Sequence, residues 1–380
     1  MLDCIVLGTG GAGSAALYHL SRRGAKVMGL DRFPPGHDRG SSHGETRLIR
    51  QAYFEHPDYV PLLLRAYELW KELSELSERD LYHETGLLEV GPPEGILVRG
   101  VLSSAKAHGL EVEQLSPAEA ESRFKGFRVP ASMASLHERR AGYLRVEECV
   151  VAHVEEAQQL GATVRTGETV MDWSIDGTGA RVRTDQGSYL AARLVITAGP
   201  WAGDLLKDLG LPLQVRRKPV FWYKARGIEC REAAGCPAFL FETSAGFFYG
   251  FPETKEGAGL KVAEHTGGEV VSDPLHIDRS LRPEDRGPVE RFLDQYLLSV
   301  TRECLKHSVC MYTMTPDEHF AIGLHPGHSQ VAFAAGLSGH GFKFTGVLGE
   351  ALADLALEGK TSLPIGFLSP RRLLDPRSNG

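Results

Sequence analysis

Residues 2–7 (Leu-Asp-Cys-Ile-Val-Leu) are a short, mostly apolar run that gives way at once to Gly8-Thr9-Gly10-Gly11-Ala12-Gly13. A helical pattern follows from Ser14 to Arg23, and a second apolar run, Ala25 to Leu30, ends in Asp31. Strand, glycine turn, helix, strand and acid, in that order, predict a Rossmann-type dinucleotide unit, where the glycines alone would not. Gly8 allows the tight turn, Gly10 lets the backbone approach a pyrophosphate, and Gly13 lets helix and strand pack closely. Asp31 is placed to accept a ribose hydroxyl.

Asp58 to Leu76 repeats at helical period, with Tyr59, Leu62, Leu63, Ala66, Leu69, Trp70 and Leu73 on one face, which predicts a core-packing helix without chemistry. Helices are expected around Ile96 to His108, between short strands, and Val146 to Leu160, followed by a strand at Thr163 to Arg165. Leu190 to Thr197 reads as a buried strand running into Ala198-Gly199-Pro200-Trp201. From about Leu213 to Ile277 the chain is strand-rich and aromatic, which predicts an antiparallel sheet. The tail returns to α/β pattern: strand Val331 to Ala335, a glycine turn, and helix Phe342 to Leu357. The expected fold is α/β (α+β overall). A nucleotide domain would use residues 1–86, 140–212 and 315–380, and a mostly antiparallel-sheet substrate domain residues 87–139 and 213–314.

The chain has 380 residues, 42% hydrophobic and 24% charged, the balance of a soluble globular protein. A formal net charge of -7 with both signs scattered excludes a nucleic-acid surface, so an anionic ligand must be met by local positive charge. Six cysteines without a CxxC pair favour a reducing compartment. The chain enters a strand at Leu2 with no leader pattern, no apolar run reaches the roughly 18 residues of a membrane span, and Arg377-Ser378-Asn379-Gly380 is not a peroxisomal address. A cytoplasmic protein is expected, with no membrane partner and no metal.

Four stretches carry candidate chemistry. Around the polar loop Glu253 to Gly259, alternation puts Phe247, Tyr249 and Phe251 on one face of a strand and Lys261, Ala263 and His265 on one face of the next, so hydroxyl, ammonium and imidazole converge on a cavity. The same alternation fits a solvated edge strand. The run Gly40 to Arg50 sets small residues beside His43, Arg47 and Arg50, suiting a backbone close to a ligand with cations nearby, or an ordinary loop. Cys310 in Cys310-Met311-Tyr312-Thr313 is reactive or a small buried hydrophobe. The turn Gly336 to Lys343 presents a helix N-terminus, where free amides stabilise negative charge.

Together these stretches resemble the monomeric sarcosine oxidase family, which includes N-methyltryptophan oxidase and pipecolate oxidase, over essentially the whole chain. The carriers are Gly8 to Gly13 with Asp31, GSSHGETRLIRQAY (Gly40 to Tyr53), ITAGPW (Ile196 to Trp201), YGFP with GLK (Tyr249 to Lys261), CMYTMTPDEHF (Cys310 to Phe320) and GLSGHGFKF (Gly336 to Phe344). The resemblance implies FAD, held by Gly8, Gly10, Gly11, Gly13, Asp31, Arg32, Ser41, Ser42, His43, Thr46, Arg47, Val170, Ala198, Gly199 and Trp201. The same role falls to Met311, Gly339, His340, Gly341, Phe342 and Lys343, with Cys310 forming a thioether to the flavin 8α-methyl. Arg50 and Lys343 would clamp a substrate carboxylate; Tyr249, Tyr312, His265 and Leu240 would line the substrate cavity. Lys261 would assist oxygen reduction, with His265, Arg47 and Tyr249 completing the catalytic set. Glu264 stands where an aromatic is common and Leu240 where a methionine can line the cavity, and both leave the substrate open.

The implied reaction is oxidation of a secondary or cyclic amino acid by formal hydride transfer to FAD, giving an imine, with dioxygen reduced to hydrogen peroxide by a monomeric enzyme. The alternatives are a dehydrogenase of the same fold that passes electrons to a carrier, a catalytically silent flavin-binding protein, and an NAD-dependent dehydrogenase that shares only the first glycine fingerprint.

Overall fold

The computed structural model describes residues 1–374 apart from Thr178, so the C-terminal Arg377-Ser378-Asn379-Gly380 lies outside the described residues. The strand Leu2–Leu7 sits inside an eight-stranded sheet, paired in parallel with Val27–Leu30 on one side and Ser188–Ile196 on the other. Parallel pairing continues to Thr163–Arg165 beyond one neighbour and to His328–Ala335 beyond the other. An antiparallel hairpin, Val170–Asp176 and Gly179–Thr184, extends the first half of Ser188–Ile196.

A parallel sheet is stable only when both faces are covered, and alternation along the central strand divides its side chains accordingly. Cys4 and Val6 enter a core shared with the helices Gly11–Arg22, Val60–Ser77, Val146–Gln159 and Thr345–Glu358. Ile5 and Leu7 enter a second core closed by Ala180 and Val182 of the hairpin and by Leu206. The first helix starts at Gly11, three residues before the apolar pattern indicates, because the fingerprint glycines form its opening turn. Gly13 allows this: a Cβ there would stand 1.8 Å from the Gly8 carbonyl oxygen and 2.6 Å from Thr197 Oγ1.

The second sheet has nine strands, in the order Glu269–Val270, Gln214–Ala225, Leu260–Glu264, Gly246–Phe251, Ala238–Thr243, Leu87–Gly91, Ala134–Glu138 and Glu113–Leu115, with Val300–Met314 also paired along Gln214–Ala225. Its pairs are antiparallel except that of Ala238–Thr243 with Leu87–Gly91. On one face Phe221, Phe239, Phe241 and Phe248 pack beneath the helix Pro283–Tyr296. Phe248 stacks on Phe292 with ring centroids 4.7 Å apart, and each such buried ring stabilises the layer by about 2–3 kcal/mol. The other face carries Trp222, Leu240, Tyr249 and Phe251, packed with the helix Ile96–His108 and with Leu48 and Tyr143 of a small third sheet formed by Thr46–Ile49, Tyr82–His83 and Gly142–Arg145. Where this second face is not filled by apolar side chains it meets the first domain in a cleft.

Candidate active site

A cavity of 410 Å³ begins at the glycine turn. Gly8, Gly10 and Gly11 form its floor, Asp31 and Arg32 come from the end of the second strand, and Ala198, Gly199 and Trp201 from the segment after Ser188–Ile196. Val170, Ser41 and Ser42 complete this end, and Arg47, Met311, Tyr312, Gly339, Gly341 and Phe342 line the other. Asp31 is held rigidly: Oδ2 accepts from the Thr9 N–H at 2.6 Å and Thr9 Oγ1 at 3.1 Å, and Oδ1 from the Phe33 N–H at 3.0 Å. Gly8, at φ +84, makes the turn, and a Cβ there would meet the Thr197 carbonyl oxygen at 2.7 Å.

Gly13, His43, Thr46 and Cys310 are not part of the wall. Gly13 is spent on the strand–helix contact, and the other three stand behind Arg47. Arg47 donates to the Thr46 carbonyl at 2.9 Å, the Ser41 carbonyl at 3.0 Å and Cys310 Sγ at 3.4 Å. His43 Nδ1 lies 3.8 Å from the same sulfur. Burial alone would raise the Cys310 thiol, but His43, Arg47 and Lys261 outweigh it and bring the pKa down to about 6. The Cys310 thiol is thus buried in surroundings that favour its anion, unlike Cys4, which burial pushes up to about 12.

A smaller cavity of 50 Å³ shares Arg47, Tyr312, Gly339 and Phe342 with the first, so the two are adjacent. Arg50, Leu240, Tyr249, His265, His340 and Lys343 line it, from five separate stretches of chain. Tyr249 and Tyr312 bring their hydroxyls to 3.4 Å, and His265 Nδ1 is 3.3 Å from the Tyr312 hydroxyl. Burial, reinforced by Lys218 and His340, lowers the pKa of His265 to about 3, so its ring is neutral. Glu264 is not among the lining residues; it belongs to the opposite face of its strand and accepts from Thr266.

The expected convergence of Tyr249, Lys261 and His265 is only partial. Tyr249 and His265 reach the cavity, but Lys261 does not line it. Alternation decides which face a side chain takes, not how far along the strand it stands. Lys261 pairs with Phe251, one step beyond Tyr249 on that face, and so comes beneath the Gly44–Thr46 loop. There its ammonium donates to the carbonyls of Gly44 and Thr46 and to Thr46 Oγ1, the last two at 2.9 and 3.1 Å. Burial and then Arg47 lower its pKa to about 7, against Cys310, Glu147 and Glu45.

Arg50 and Lys343 flank one ring. The guanidinium carbon lies 4.5 Å from the Tyr53 ring centre and the ammonium 5.0 Å from it. Lys343 donates to the His340 carbonyl at 2.7 Å and to the Tyr53 hydroxyl at 3.3 Å. Tyr53 in turn is 2.6 Å from His340 Nδ1, and His340 Nε2 is 2.9 Å from the Glu318 carbonyl. A carbonyl only accepts, so the His340 proton is on Nε2 and Tyr53 donates to Nδ1. Burial, with Arg50 adding to it, holds the Lys343 pKa well below its ordinary value. Arg50 Nη2 donates to both oxygens of Glu55, at 2.9 and 2.8 Å.

Tyr53, Glu55, Glu89 and Lys218 are the neighbours that sequence reasoning missed. Tyr53 closes the GSSHGETRLIRQAY string but has no spacing that singles it out. Glu89 leaves a trace, a carboxylate inside the apolar run Leu87-Leu88-Glu89-Val90. Elsewhere, Asp208, His325 and His328 come together, but Nδ1 of His325 accepts from the Gly327 N–H at 3.1 Å. Its proton is therefore on Nε2, 2.9 Å from an Asp208 oxygen, which leaves that nitrogen without a lone pair to offer a metal.

A mixed sheet with its glycine turn, and a long cavity running from it to a mostly antiparallel second sheet, define an α/β flavoprotein fold. A family model described as FAD dependent oxidoreductase (DAO) matches residues 3–355, and the chain belongs to that family. It is 42% identical over 375 residues to monomeric sarcosine oxidase from Arthrobacter sp. (strain TE1826), covering 97% of this chain and 96% of the relative. It is 38% identical over 362 residues to N-methyl-L-tryptophan oxidase from Salmonella dublin, covering 95% of each. Among solved structures, NikD, an amino acid oxidase essential for nikkomycin biosynthesis, superimposes with a TM-score of 0.85 at 26% identity over 97% of both chains. L-proline dehydrogenase from P. horikoshii shares the fold, with a TM-score of 0.82 at 22% identity over 98% of this chain and 97% of that one.

Proposed function

We propose that this protein is an FAD-dependent amine oxidase that converts a small secondary amino acid, of sarcosine-like N-methyl type, to its imine and reduces dioxygen to hydrogen peroxide. The observation that carries the reading is the pair of basic side chains, Arg50 and Lys343, in the wall of a small cavity adjacent to the long one. The residues present fit FAD: glycine backbone and Asp31 at one end, Arg47 and the helix-opening turn Gly339–Phe342 at the other. Held there, FAD would supply the two-electron redox chemistry between the amine and dioxygen.

The protein's part is placement and electrostatics. Arg50 and Lys343 hold the substrate carboxylate at two points, which fixes the amine's position. Arg47, Arg50 and Lys343 outnumber Glu55 among the charged groups of the wall, Glu55 is already engaged by Arg50, and His265 is neutral, which favours binding of the amine in its neutral, electron-donating form. Tyr249 and Tyr312 close the side of the cavity. Lys261, its donors committed to Gly44 and Thr46 behind the cavity, would in its protonated form stabilise negative charge developing on oxygen. A water requires roughly 10–15 Å³ of such space, so 50 Å³ takes about three to five, which supports sarcosine or a small ring over an indole-bearing substrate.

The two sheets support a division into an FAD-binding part (residues 1–86, 140–212 and 315–380) and a substrate part (87–139 and 213–314). The thiolate character of Cys310 supports a thioether to the flavin. Acid-precipitated protein is then expected to keep its yellow colour in the pellet and Cys310→Ser to release it; colour in the supernatant of the parent protein removes the covalent bond but not the oxidase. The likeness to monomeric sarcosine oxidase supports a monomer, which sedimentation would check. No described helix is long and apolar enough to cross a membrane, and the cysteine pattern supports the cytoplasm.

The deciding experiment is anaerobic mixing with sarcosine, N-methyltryptophan, L-pipecolate and L-proline while following the flavin band. Bleaching is expected with sarcosine, and peroxide on admitting air. Bleaching by none of the four rejects the substrate class; bleaching without peroxide points to the dehydrogenase alternative.

A further inference from the structure

Behind Arg50 lies a carboxyl group that the reaction as described does not use. Glu89, in the strand Leu87–Gly91, is 0% exposed, and neither of its oxygens has a hydrogen-bond partner. Its Oε1 stands 3.7 Å from Arg50 Nε, which is also buried and unpartnered. Glu55 occupies the other edge of the guanidinium, and the rings of Tyr53 and Phe54 lie against its face at 4.5 and 5.1 Å. Glu89 is the cross-strand partner of Leu240, which lines the small cavity, so its side chain lies on the same face of the sheet, beside the cavity wall.

A lone carboxylate inside an apolar strand is strongly destabilising unless a charge answers it. The groups facing it are few. Arg50 and Glu55 come from the segment after the strand Thr46–Ile49. The neighbouring strand Ala134–Glu138 brings Glu138, whose oxygens already accept the N–H groups of Gln51 at 2.6 Å and Ala52 at 2.9 Å. The other neighbouring strand brings Leu240, and the helix Ile96–His108 brings the apolar Leu97, Val98 and Val101. Arg50 is thus the sole cation available to Glu89, among described residues, and faces two carboxyl groups before any substrate arrives. With Glu89 ionised, a substrate carboxylate would make a third anion around one guanidinium.

We propose that Glu89 is a positioning residue for the substrate: it holds the Nε edge of Arg50 from beside the cavity wall and, where it is ionised, takes up a proton from solvent when a substrate carboxylate joins the guanidinium from the cavity. As a neutral acid it keeps the Nε contact through its carbonyl oxygen and no longer competes for the positive charge. The proposal rests on Arg50 being the carboxylate site. Burial, with Glu138 and Glu55 pushing the same way and Arg50 opposing, raises the Glu89 pKa to about 8, so the exchange falls within reach of ordinary buffers. The sign follows: ligand binding raises that pKa further, so affinity is flat below about pH 8 and falls by up to about tenfold per pH unit above it.

The probe is acetate, a carboxylate without an oxidisable amine, titrated into the FAD-loaded protein from pH 6 to about 9.5, with flavin absorbance for binding and proton uptake read in weak buffer. Lys343 also loses its proton as pH rises and also weakens anion binding, so the parent profile alone does not decide. Glu89→Gln retains an oxygen for Nε but does not titrate; its uptake near pH 9 is expected to fall by about half or more and its affinity slope to flatten. Glu89→Leu removes the contact as well and is expected to raise KM for the amine substrate about tenfold at pH 7, with kcat changed much less, while the Gln variant restores KM. If the Leu variant does not fold, the Gln variant decides alone. Uptake and slope unchanged in Glu89→Gln overturn the proposal. Acetate bound equally well by Arg50→Met overturns the underlying carboxylate site, a result that Glu89 substitutions cannot mimic.

Discussion

At the nucleotide end of the cleft the walls are largely backbone, and at the amino-acid end they are side chains. Gly8, Gly10, Gly11 and Asp31 lie within one strand–helix–strand unit, and their positions follow from local geometry. Arg50, Leu240, Tyr249, His265, Tyr312 and Lys343 meet only because two sheets and a helix N-terminus pack together. A backbone-built site needs small residues at set intervals and tolerates little addition. A side-chain-built site tolerates substitution without loss of fold and loses chemistry instead.

Substitutions that separate these two behaviours test the contrast. The largest effect is expected at Lys261→Met: reoxidation by dioxygen should slow by about 100- to 1,000-fold, roughly 3–4 kcal/mol, while anaerobic bleaching by the amine and flavin content change little. Stopped-flow measurement of the two half-reactions checks this, and equal slowing of both would move Lys261 into amine oxidation. Gly13→Ala should act through the fold, lowering stability by about 3 kcal/mol or more and releasing flavin, because the methyl group meets the Gly8 carbonyl with no side chain able to yield. Thermal unfolding and the ratio of flavin to protein absorbance read it; a fully loaded, equally stable variant would contradict the packing argument. Arg50→Met should raise KM by about 30-fold, roughly 2 kcal/mol, with flavin retained. Leu240→Ala, the mildest, should shift relative kcat/KM towards bulkier N-methyl amino acids by severalfold, about 1 kcal/mol, and no shift would place the size limit elsewhere in the wall.

The same contrast governs what was readable beforehand. The helix Ile96–His108 and the strand Thr163–Arg165 have the bounds their periodicity indicates. The first helix does not, because its opening turn is glycine and alanine and has no apolar period. Lys261 shows a different failure. Its face was legible from alternation, but its height along the strand depends on pairing with Phe251, a register set by the hairpin between them. Tyr53 and Glu55 had no signal, since their importance is their distance from Arg50. Glu89 had one, a charge in an apolar strand, but its partner lies 39 positions away on another sheet.

By itself the sequence determined the dinucleotide unit, because strand, turn and helix make their own contacts within about thirty residues. It also determined which residues carry charge and which strands alternate. Only the tertiary structure decided that Lys261 stands beneath the Gly44–Thr46 loop and not in the cavity, that Cys310 lies among His43, Arg47 and Lys261, and that Arg50 is held between Glu55 and Glu89. The reason is the range of the forces involved. Periodicity reports burial, a property of single residues, whereas a pKa or a binding geometry is set by charges a few ångströms apart, and those distances exist only after the two sheets have packed.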